Sequence, residues 1–403
     1  MKPYIRPEIL IPSQGHEKWS VVACDQFTSE PEYWKELDAF VGDAPSALRI
    51  IFPEVYLGSG DEERISQINA TMSKYVNAEG FFKRYNSYVL VERTYSGVTR
   101  LGLMMAVDLD QYDPAPNANV PIKATEGTII ERIPPRVKIR KDAPLELTHI
   151  MLLVDDREGL LNERLYQMRD KLKVCYDFDL SMGGGHLKGY LVDDEDLIDR
   201  ALSKINDTER KRKLYGRDTN MLFAVGDGNH SLLTAKTSWE AVKQTLTEEE
   251  RMCHPARYAL VELVNLYDEG LVFEPIHRVI FDPSDRFMAR LGSLTGKNAL
   301  HTTGKDIRLD GTPAEMIKTV QDLIEDALKC GEITKVDYVH GDDNLRAIVN
   351  GNDGSIGIFM PQIGKEELFP FVLSNGVLPK KAFSMGNANE KRYYMEARVI
   401  KEL

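Results

Sequence analysis

"MLFAVGDGNHSLLTAK", residues 221–236, is the stretch on which the fold turns. Five apolar residues, Met221 to Val225, run into Gly226-Asp227-Gly228-Asn229-His230 and then into apolar positions at Leu232, Ala235, Trp239, Val242 and Leu246. An uninterrupted apolar run of that length fits a strand buried on both faces. The three- and four-residue spacing after it fits one face of an amphipathic helix. The chain must therefore reverse between Gly226 and His230, and Gly226 and Gly228 permit a tight turn because glycine tolerates positive φ. Asp227 or Asn229 can cap the helix by accepting from a first-turn N–H.

The strand-then-helix order recurs on both sides. "THIMLLVDD" precedes "GLLNERLYQMRDKLK", where Leu161, Leu165, Met168 and Leu172 make one apolar face, and "KGYLV" precedes "DEDLIDRALSKI". "SYVLVERTY" and "RLGLMMAVDL" flank the connector "SGVT" as an antiparallel hairpin, while "GTIIERI", "RYALVELVNL" and "LVFEPIHRVIF" add strands. The pattern predicts an α/β (mixed α+β) fold in which helices cover a mixed sheet. Ile65, Ile68, Met72, Tyr75 and Val76 mark an early helix. Near the C-terminal end, Thr312 and Glu315 form a capping box with Pro313 at the first helical position and Gly331 as terminator. "YDPAPNANVP" reads as a linker, which divides the chain into a 1–118 N-terminal α+β region, a 119–290 α/β core and a 291–403 C-terminal α/β region.

Composition narrows the function. The chain has 403 residues, 42% hydrophobic and 28% charged, ordinary for a globular protein of roughly two to three domains. A formal charge of −12 argues against general nucleic-acid binding. There is no apolar segment of signal-peptide type at the start and no run of about 18 apolar residues, so a cytoplasmic protein away from membranes is expected. Cys24, Cys175, Cys253 and Cys330 are far apart, which suggests neither a zinc site nor a dithiol. His-Glu-x-x-His and Gly-x-Ser-x-Gly are both missing, and the lone Gly-x-Gly lacks the remainder of a dinucleotide fingerprint.

A turn that opens a helix presents backbone donors beside the helix's positive end, an arrangement suited to phosphate. Gly228, Asn229 and Ser231 would hold the anion with His230 beside it, and Asp227 would orient a hydroxyl or bind Mg²⁺. The plainer alternative is that Asp227 and Asn229 only turn the chain and His230 is structural. In "FEPIHRVIF", His277 and Arg278 sit inside an apolar strand, where Arg278 needs a carboxylate or a bound anion. "EGTIIERIPPRVKIRKD" brings Glu126 and Glu131 together with Arg132, and the alternation of Arg136, Lys138 and Arg140 would put three cations on one strand face. That stripe is either a solvated edge or an electrostatic funnel, with Glu126 or Glu131 available as a base. "SMGGGHLKGYLV" reads as a hairpin turn. Lys380, Lys381 and Ser384 occupy a basic loop, and Asp25 follows an apolar strand from which it can cap a turn or face a cleft.

"GDGNHSLLTAK" resembles the Asp-Gly-His-His-Arg-x-x-x-Ala element of the bacterial family known as domain of unknown function 1015. "WSVVACDQFTSEPEYW", "IFPEVYL", "ATEGTIIERIPPRVKIR", "VNLYDEGLVFEPIHRVIF" and "LPKKAFSMG" resemble its other blocks. The short element also looks like the phosphate-contacting box of the ParB/sulfiredoxin superfamily, which includes partition nucleotidases, sulfiredoxins and free-serine kinases. Asp227, Gly228 and His230 match that box, whereas Asn229 replaces its first histidine and Ser231 its arginine, a bidentate phosphate ligand that serine cannot imitate. Arg278 is one substitute, and Lys381 with Ser384 partly follows a Pro-Lys-Ser/Thr run of the family.

The resemblance implies a ParB/sulfiredoxin-like core that binds ATP or ADP with Mg²⁺. It implies a phosphotransferase acting on a small hydroxyl metabolite, free serine or phosphoserine being the candidates. Asp227, His230 and Glu126 would be catalytic. Gly228, Asn229, Ser231, His277, Arg278, Arg132 and Lys381 would bind phosphate, and Asp227 the metal. A non-catalytic nucleotide sensor and a phosphoester hydrolase are the alternatives.

Overall fold

The computed structural model describes residues 2–58, 60–127 and 133–401, without the side chains of 133–135. Contacts group into two units: residues 1–124, 128–271 and 387–403 form the first, 125–127 and 272–386 the second. This division follows which segments pack together, whereas the bound at 118 follows linker composition. The linker-like stretch 112–121 lies inside the first unit, where Lys123 Nζ donates to the carbonyls of Pro116 (2.8 Å) and Ala118 (2.9 Å).

The first unit is built on a ten-stranded sheet. Its strands are β1 (Tyr4–Ile5), β2 (Tyr88–Tyr95), β3 (Val98–Asp108), β4 (Tyr112–Asp113), β5 (Ile122–Lys123), β6 (Met151–Val154), β7 (Lys173–Leu180), β8 (Gly185–Val192), β9 (Phe223–Asp227) and β10 (Tyr258–Asn265). They lie in the order β7-β8-β2-β3-β10-β6-β9-β5-β4, with β1 beside β3. The pairs β10–β6, β9–β5 and β5–β4 are parallel; the other pairs are antiparallel, so the sheet is mixed as expected.

Period-two alternation gives each strand two jobs. Leu90, Leu103, Leu152, Phe223 and Val261 face a core shared with Ile198 and Leu202 of α2 (Glu195–Ile205) and Leu232, Ala235 and Trp239 of α3 (Asn229–Lys243). Val89, Val91, Met104, Leu187 and Leu260 face a second core with Trp19, Trp34 and Tyr75 from the N-terminal segments. Burial on both faces is what the Met221–Val225 run requires.

The entry to β9 is fixed by a buried ammonium. Lys211 Nζ donates to Asn206 Oδ1 (2.6 Å) and to the carbonyls of Thr219 (2.9 Å) and Met221 (3.2 Å), and burial pulls its pKa down to about 8. The far side of the sheet is closed by the last segment of the chain. There Arg392 pairs with Glu262 of β10 and with Glu396, and Arg398 pairs with Glu146 at 2.7 Å. Gly102 of β3 lies under Glu262, where a Cβ would sit 2.1 Å from Oε1.

Two local readings change. Residues 128–132 of the expected strand "GTIIERI" lie outside the described residues, and Ile133–Asp142 is a helix, α1. Pro134 and Pro135 fall in its first turn, where a missing N–H costs nothing. Charges that alternate along a strand therefore follow helical spacing instead: Arg136 and Arg140, four apart, share a face, and Lys138 is exposed. The helix expected through Leu172 stops at Gln167, and the chain turns over 169–171 into β7.

In the second unit, β11 (Phe273–Phe281) pairs antiparallel with β12 (Lys335–His340), β13 (Ile356–Ile358) and, at its start, β14 (Phe383–Met385). Helix α4 (Pro313–Lys329) carries the expected capping box, with Glu315 Oε2 accepting from Thr312 N at 2.8 Å. Among the described residues, no helix is long and apolar enough to cross a membrane.

Gly228 is constrained by both its backbone conformation and its neighbours. Its φ is +82°, and a Cβ there would lie 3.0 Å from the Ile150 Cα. Gly228→Ala should lower unfolding stability by about 1–3 kcal/mol in urea titrations. Gly216→Ala, at φ +69° with nothing within 4 Å, should cost less because only the backbone term is present.

Candidate functional site

β9 ends at Asp227, and α3 begins two residues later at Asn229. Gly228 itself occupies the cap position in the left-handed conformation and has no side chain to offer, so neither Asp227 nor Asn229 caps the helix as expected. Asp227 instead turns its carboxylate back on the chain. Oδ1 accepts from Gly228 N at 2.8 Å, and Oδ2 lies 3.1 Å from Lys391 Nζ. Burial alone would raise this carboxyl, but the Lys391 ammonium, the nearby His149 and the Gly228 amide together hold it below the usual carboxylate range.

One turn into α3, the Ser231 Oγ lies 3.1 Å from His149 Nε2. The other ring nitrogen, Nδ1, lies 2.8 Å from the Tyr394 Oη. Tyr394 in turn accepts from Cys24 N (3.3 Å) and points its hydroxyl at Cys24 Sγ (3.1 Å). Asp25 Oδ2 is 3.8 Å from His149 Nε2, placing at this site the carboxylate that sequence left between a cap and a cleft. Burial pushes the Cys24 thiol up to about 11, helped by Asp25, and drives the Tyr394 phenol well above its ordinary value. Both stay protonated at neutral pH. If Tyr394 donates to sulfur, His149 Nδ1–H donates to Tyr394 and Nε2 accepts the Ser231 proton; if Tyr394 donates to Nδ1, the serine becomes the acceptor. One proton therefore decides whether Ser231 is activated.

These groups edge a cavity of about 160 Å³. Ile50, Phe52, Met72, Ile139 and Leu145 form its apolar walls, and His149, Ser231 and Tyr394 its polar end. Arg136 and Arg140 of α1 also line it, the first paired with Glu54 and the second 2.7 Å from Glu146.

The residues singled out in sequence fall into separate groups. Asp227, Gly228, Asn229, His230 and Ser231 belong to the first unit; Glu126, His277, Arg278 and Lys381 belong to the second; Arg132 and Glu131 lie outside the described residues. In the second unit, Arg278 is fully buried. Its Nε donates to Gln321 Oε1 (3.0 Å), Nη1 to Ile276 O (2.6 Å), and Nη2 to the carbonyls of Lys380 (3.1 Å) and Lys381 (3.0 Å). Its charge stacks on the Tyr338 ring at 4.5 Å, and burial brings its pKa down to about 10 against the pull of Tyr338 and Glu126.

The guanidinium thus meets neutral acceptors where sequence predicted a carboxylate or anion, and it anchors the 380–381 loop. Lys381 contributes its carbonyl from a left-handed backbone, φ +55°, with an exposed side chain. His277 Nδ1 accepts from Met360 N (3.1 Å), which leaves Nε2–H to donate to Asp342 Oδ1 (2.9 Å); burial holds the ring neutral. Glu126 bridges in parallel to Leu378.

Lys391, His149 and Tyr394 are the site residues that the sequence reading missed. "THIMLLVDD" does set His149 just ahead of a strand, and "EKRYY" puts Lys391 and Tyr394 on either side of an arginine, but neither stretch has a local signal of proximity to residue 227.

The sequence pattern of the family described as "Protein of unknown function (DUF1015)" matches residues 5–395. The chain belongs to this family. Comparison with curated proteins gives no match. Among solved structures, the DUF1015 chain is similar to a conserved hypothetical protein from Pyrococcus furiosus, with TM-score 0.34 and 11% identity over 74% of this chain and 95% of that one. It is also similar to a mutant of free serine kinase in complex with ADP, with TM-score 0.40 and 10% identity over 72% and 91%. Free serine kinase in complex with AMP gives TM-score 0.39 and 11% identity over 72% and 90%. Likeness at this level transfers no residue's role.

The depressed Asp227 carboxyl makes a pH prediction. Its folded-state pKa is below its unfolded value, so its stabilisation is present above the ordinary carboxylate pKa of about 4 and is lost as pH falls through the folded value. Melting temperatures of wild type and Asp227→Asn should differ at pH 7 and converge as pH falls below about 4. Curves that stay parallel to pH 3 would exclude the ion pair as the cause.

Proposed function

We propose that this DUF1015 protein is a nucleotide-dependent phosphotransferase acting on the hydroxyl group of a small metabolite. The observation that carries this reading is the pairing of Asp227 with Lys391 and of Ser231 with His149 around the first turn of α3. Lys391 and the positive end of a fifteen-residue helix favour phosphate. Lys391 also supplies, from another part of the chain, the cation that Ser231 cannot. Asp227, ionised, is placed to orient the acceptor hydroxyl and take its proton. The hydroxyl oxygen bonds to the γ-phosphorus of ATP while the bond from that phosphorus to the β,γ-bridging oxygen breaks, and ADP leaves with the electron pair.

Mg²⁺ carried on nucleotide phosphates needs only one or two protein carboxylates, and Asp227 would supply one. Among the described residues there is no group of three or more His, Cys, Asp or Glu side chains that would hold a metal unaided. His277 and Arg278 have partners of their own in the second unit, so we assign the roles to Asp227, Lys391, Ser231 and His149. Resemblance to the ParB/sulfiredoxin superfamily supports ATP or ADP as ligand and free serine or phosphoserine as the metabolite.

A second reading has its own observation. Ser231, His149 and Tyr394 follow the order nucleophile, base and orienting group, which suits phosphoester hydrolysis through Ser231. A nucleotide sensor would bind without turnover.

Melting temperatures with ATP, ADP and CTP, with and without Mg²⁺, test the binding step. A ligand at about 100 times its Kd adds roughly 2.7 kcal/mol. ATP or ADP should stabilise the wild type, and Lys391→Ala should weaken nucleotide affinity at least tenfold. Phosphate transfer to serine then separates kinase from sensor, and phosphate release from phosphoserine that is lost in Ser231→Ala identifies the hydrolase. If no nucleotide raises the melting temperature and no transfer is detected, the phosphotransferase reading fails.

A further inference from the structure

The walls of the cavity beside Ser231 say more about what enters it than the motif does. Its volume, about 160 Å³, is close to that of apolar protein cavities of about 150 Å³ that accept benzene. It therefore takes a compact body of roughly six to ten heavy atoms. Its apolar lining includes Ile50, Phe52, Met72, Ile139 and Leu145.

The charged residues on the lining are already committed. Arg136 pairs with Glu54, and Arg140 with Glu146. Glu146 also accepts from Arg398 Nε (2.7 Å) and Leu260 N (2.9 Å), and these guanidiniums keep its carboxyl ionised against the burial that would raise it. Outside those pairs, the hydrogen-bonding groups on the lining include Ser231, His149 and Tyr394.

We infer that this cavity binds a small neutral alcohol with an apolar, branched or aromatic body, its hydroxyl directed at Ser231 and His149. As the identity of the phosphate acceptor, this rests on the phosphotransferase reading; as a binding site, it stands without it. Free serine fits poorly. It is a zwitterion, and burying an ammonium or carboxylate without a partner costs several kcal/mol, more than the apolar walls return. Benzyl alcohol loses little on entry, because its ring leaves water and its hydroxyl exchanges water for the Ser231–His149 pair.

Calorimetric titration of the full chain, without nucleotide, with benzyl alcohol, toluene and L-serine tests this directly. Benzyl alcohol should bind saturably with one site, toluene at least fivefold more weakly, and L-serine not at all. Ile139→Trp, which fills the cavity from α1, should weaken benzyl alcohol at least tenfold and leave the nucleotide-induced rise in melting temperature unchanged. If that variant does not fold, crystals of the wild type soaked in 4-bromobenzyl alcohol give the same information, with bromine expected between Phe52 and Ile139. Serine binding tighter than benzyl alcohol, toluene binding as well as the alcohol, an unaffected Ile139→Trp, or bromine elsewhere would overturn the inference. Alcohol binding without any nucleotide effect would keep the cavity and remove the kinase. Nucleotide binding and serine phosphorylation without alcohol binding would do the reverse.

Discussion

Arg392 is the interaction on which the arrangement of the first unit depends. Its guanidinium is 4% exposed, paired with Glu262 in the middle of the sheet and with Glu396 four residues on, and its Nε donates to the Thr148 carbonyl at 2.9 Å. Burial would lower its pKa, yet Glu396 and Glu262 raise it above the ordinary arginine value, so the charge is kept. Removing one partner from a buried pair of this kind costs about 3–5 kcal/mol, because the other charge is left without compensation. The return is positional. With Arg392 fixed, its neighbour Lys391 reaches Asp227, and Tyr394, two residues on, reaches His149 and Cys24.

The sheet places the other half of the site. β6 and β9 are antiparallel neighbours, and Met151 pairs with Asp227 across a bulge that follows Met151. His149 therefore arrives just before β6 at the end of the sheet where β9 gives way to α3. The glycine at 228 lets the helix start against Ile150, and this close approach brings Ser231 within hydrogen-bonding distance of the imidazole. The cavity beyond is lined on one side by α1, where Arg136 and Arg140 are paired with Glu54 and Glu146, so these arginines bring it no unpaired charge. In the proposed reading, Asp227 and Lys391 face the phosphate, Ser231 and His149 face the hydroxyl that receives it, and the apolar lining holds the rest of the acceptor.

Much of the fold was legible because its signals are local. The run Met221–Val225, the glycines after it and the helical spacing through Trp239 specify strand, turn and helix within twenty residues. The hairpin of β2 and β3 and the capping box of α4 are equally short-range. Where reading failed, two local patterns competed. Arg136, Lys138 and Arg140 alternate as a strand would, but two prolines ahead of them suit the first turn of a helix, and the helix formed. Arg278 was read as short of a partner because carbonyl acceptors from a loop 102 and 103 residues away leave no trace in the sequence around it.

By itself, then, the sequence determined most of the elements, the mixed sheet and the turn at Gly228, since these follow from backbone preference and side-chain period over a few residues. Only the tertiary structure decided which groups stand around Asp227 and Ser231. Their partners lie 164 and 82 residues away, and a hydrogen bond requires a distance of about 3 Å that nothing but strand register and the buried Arg392 cluster imposes.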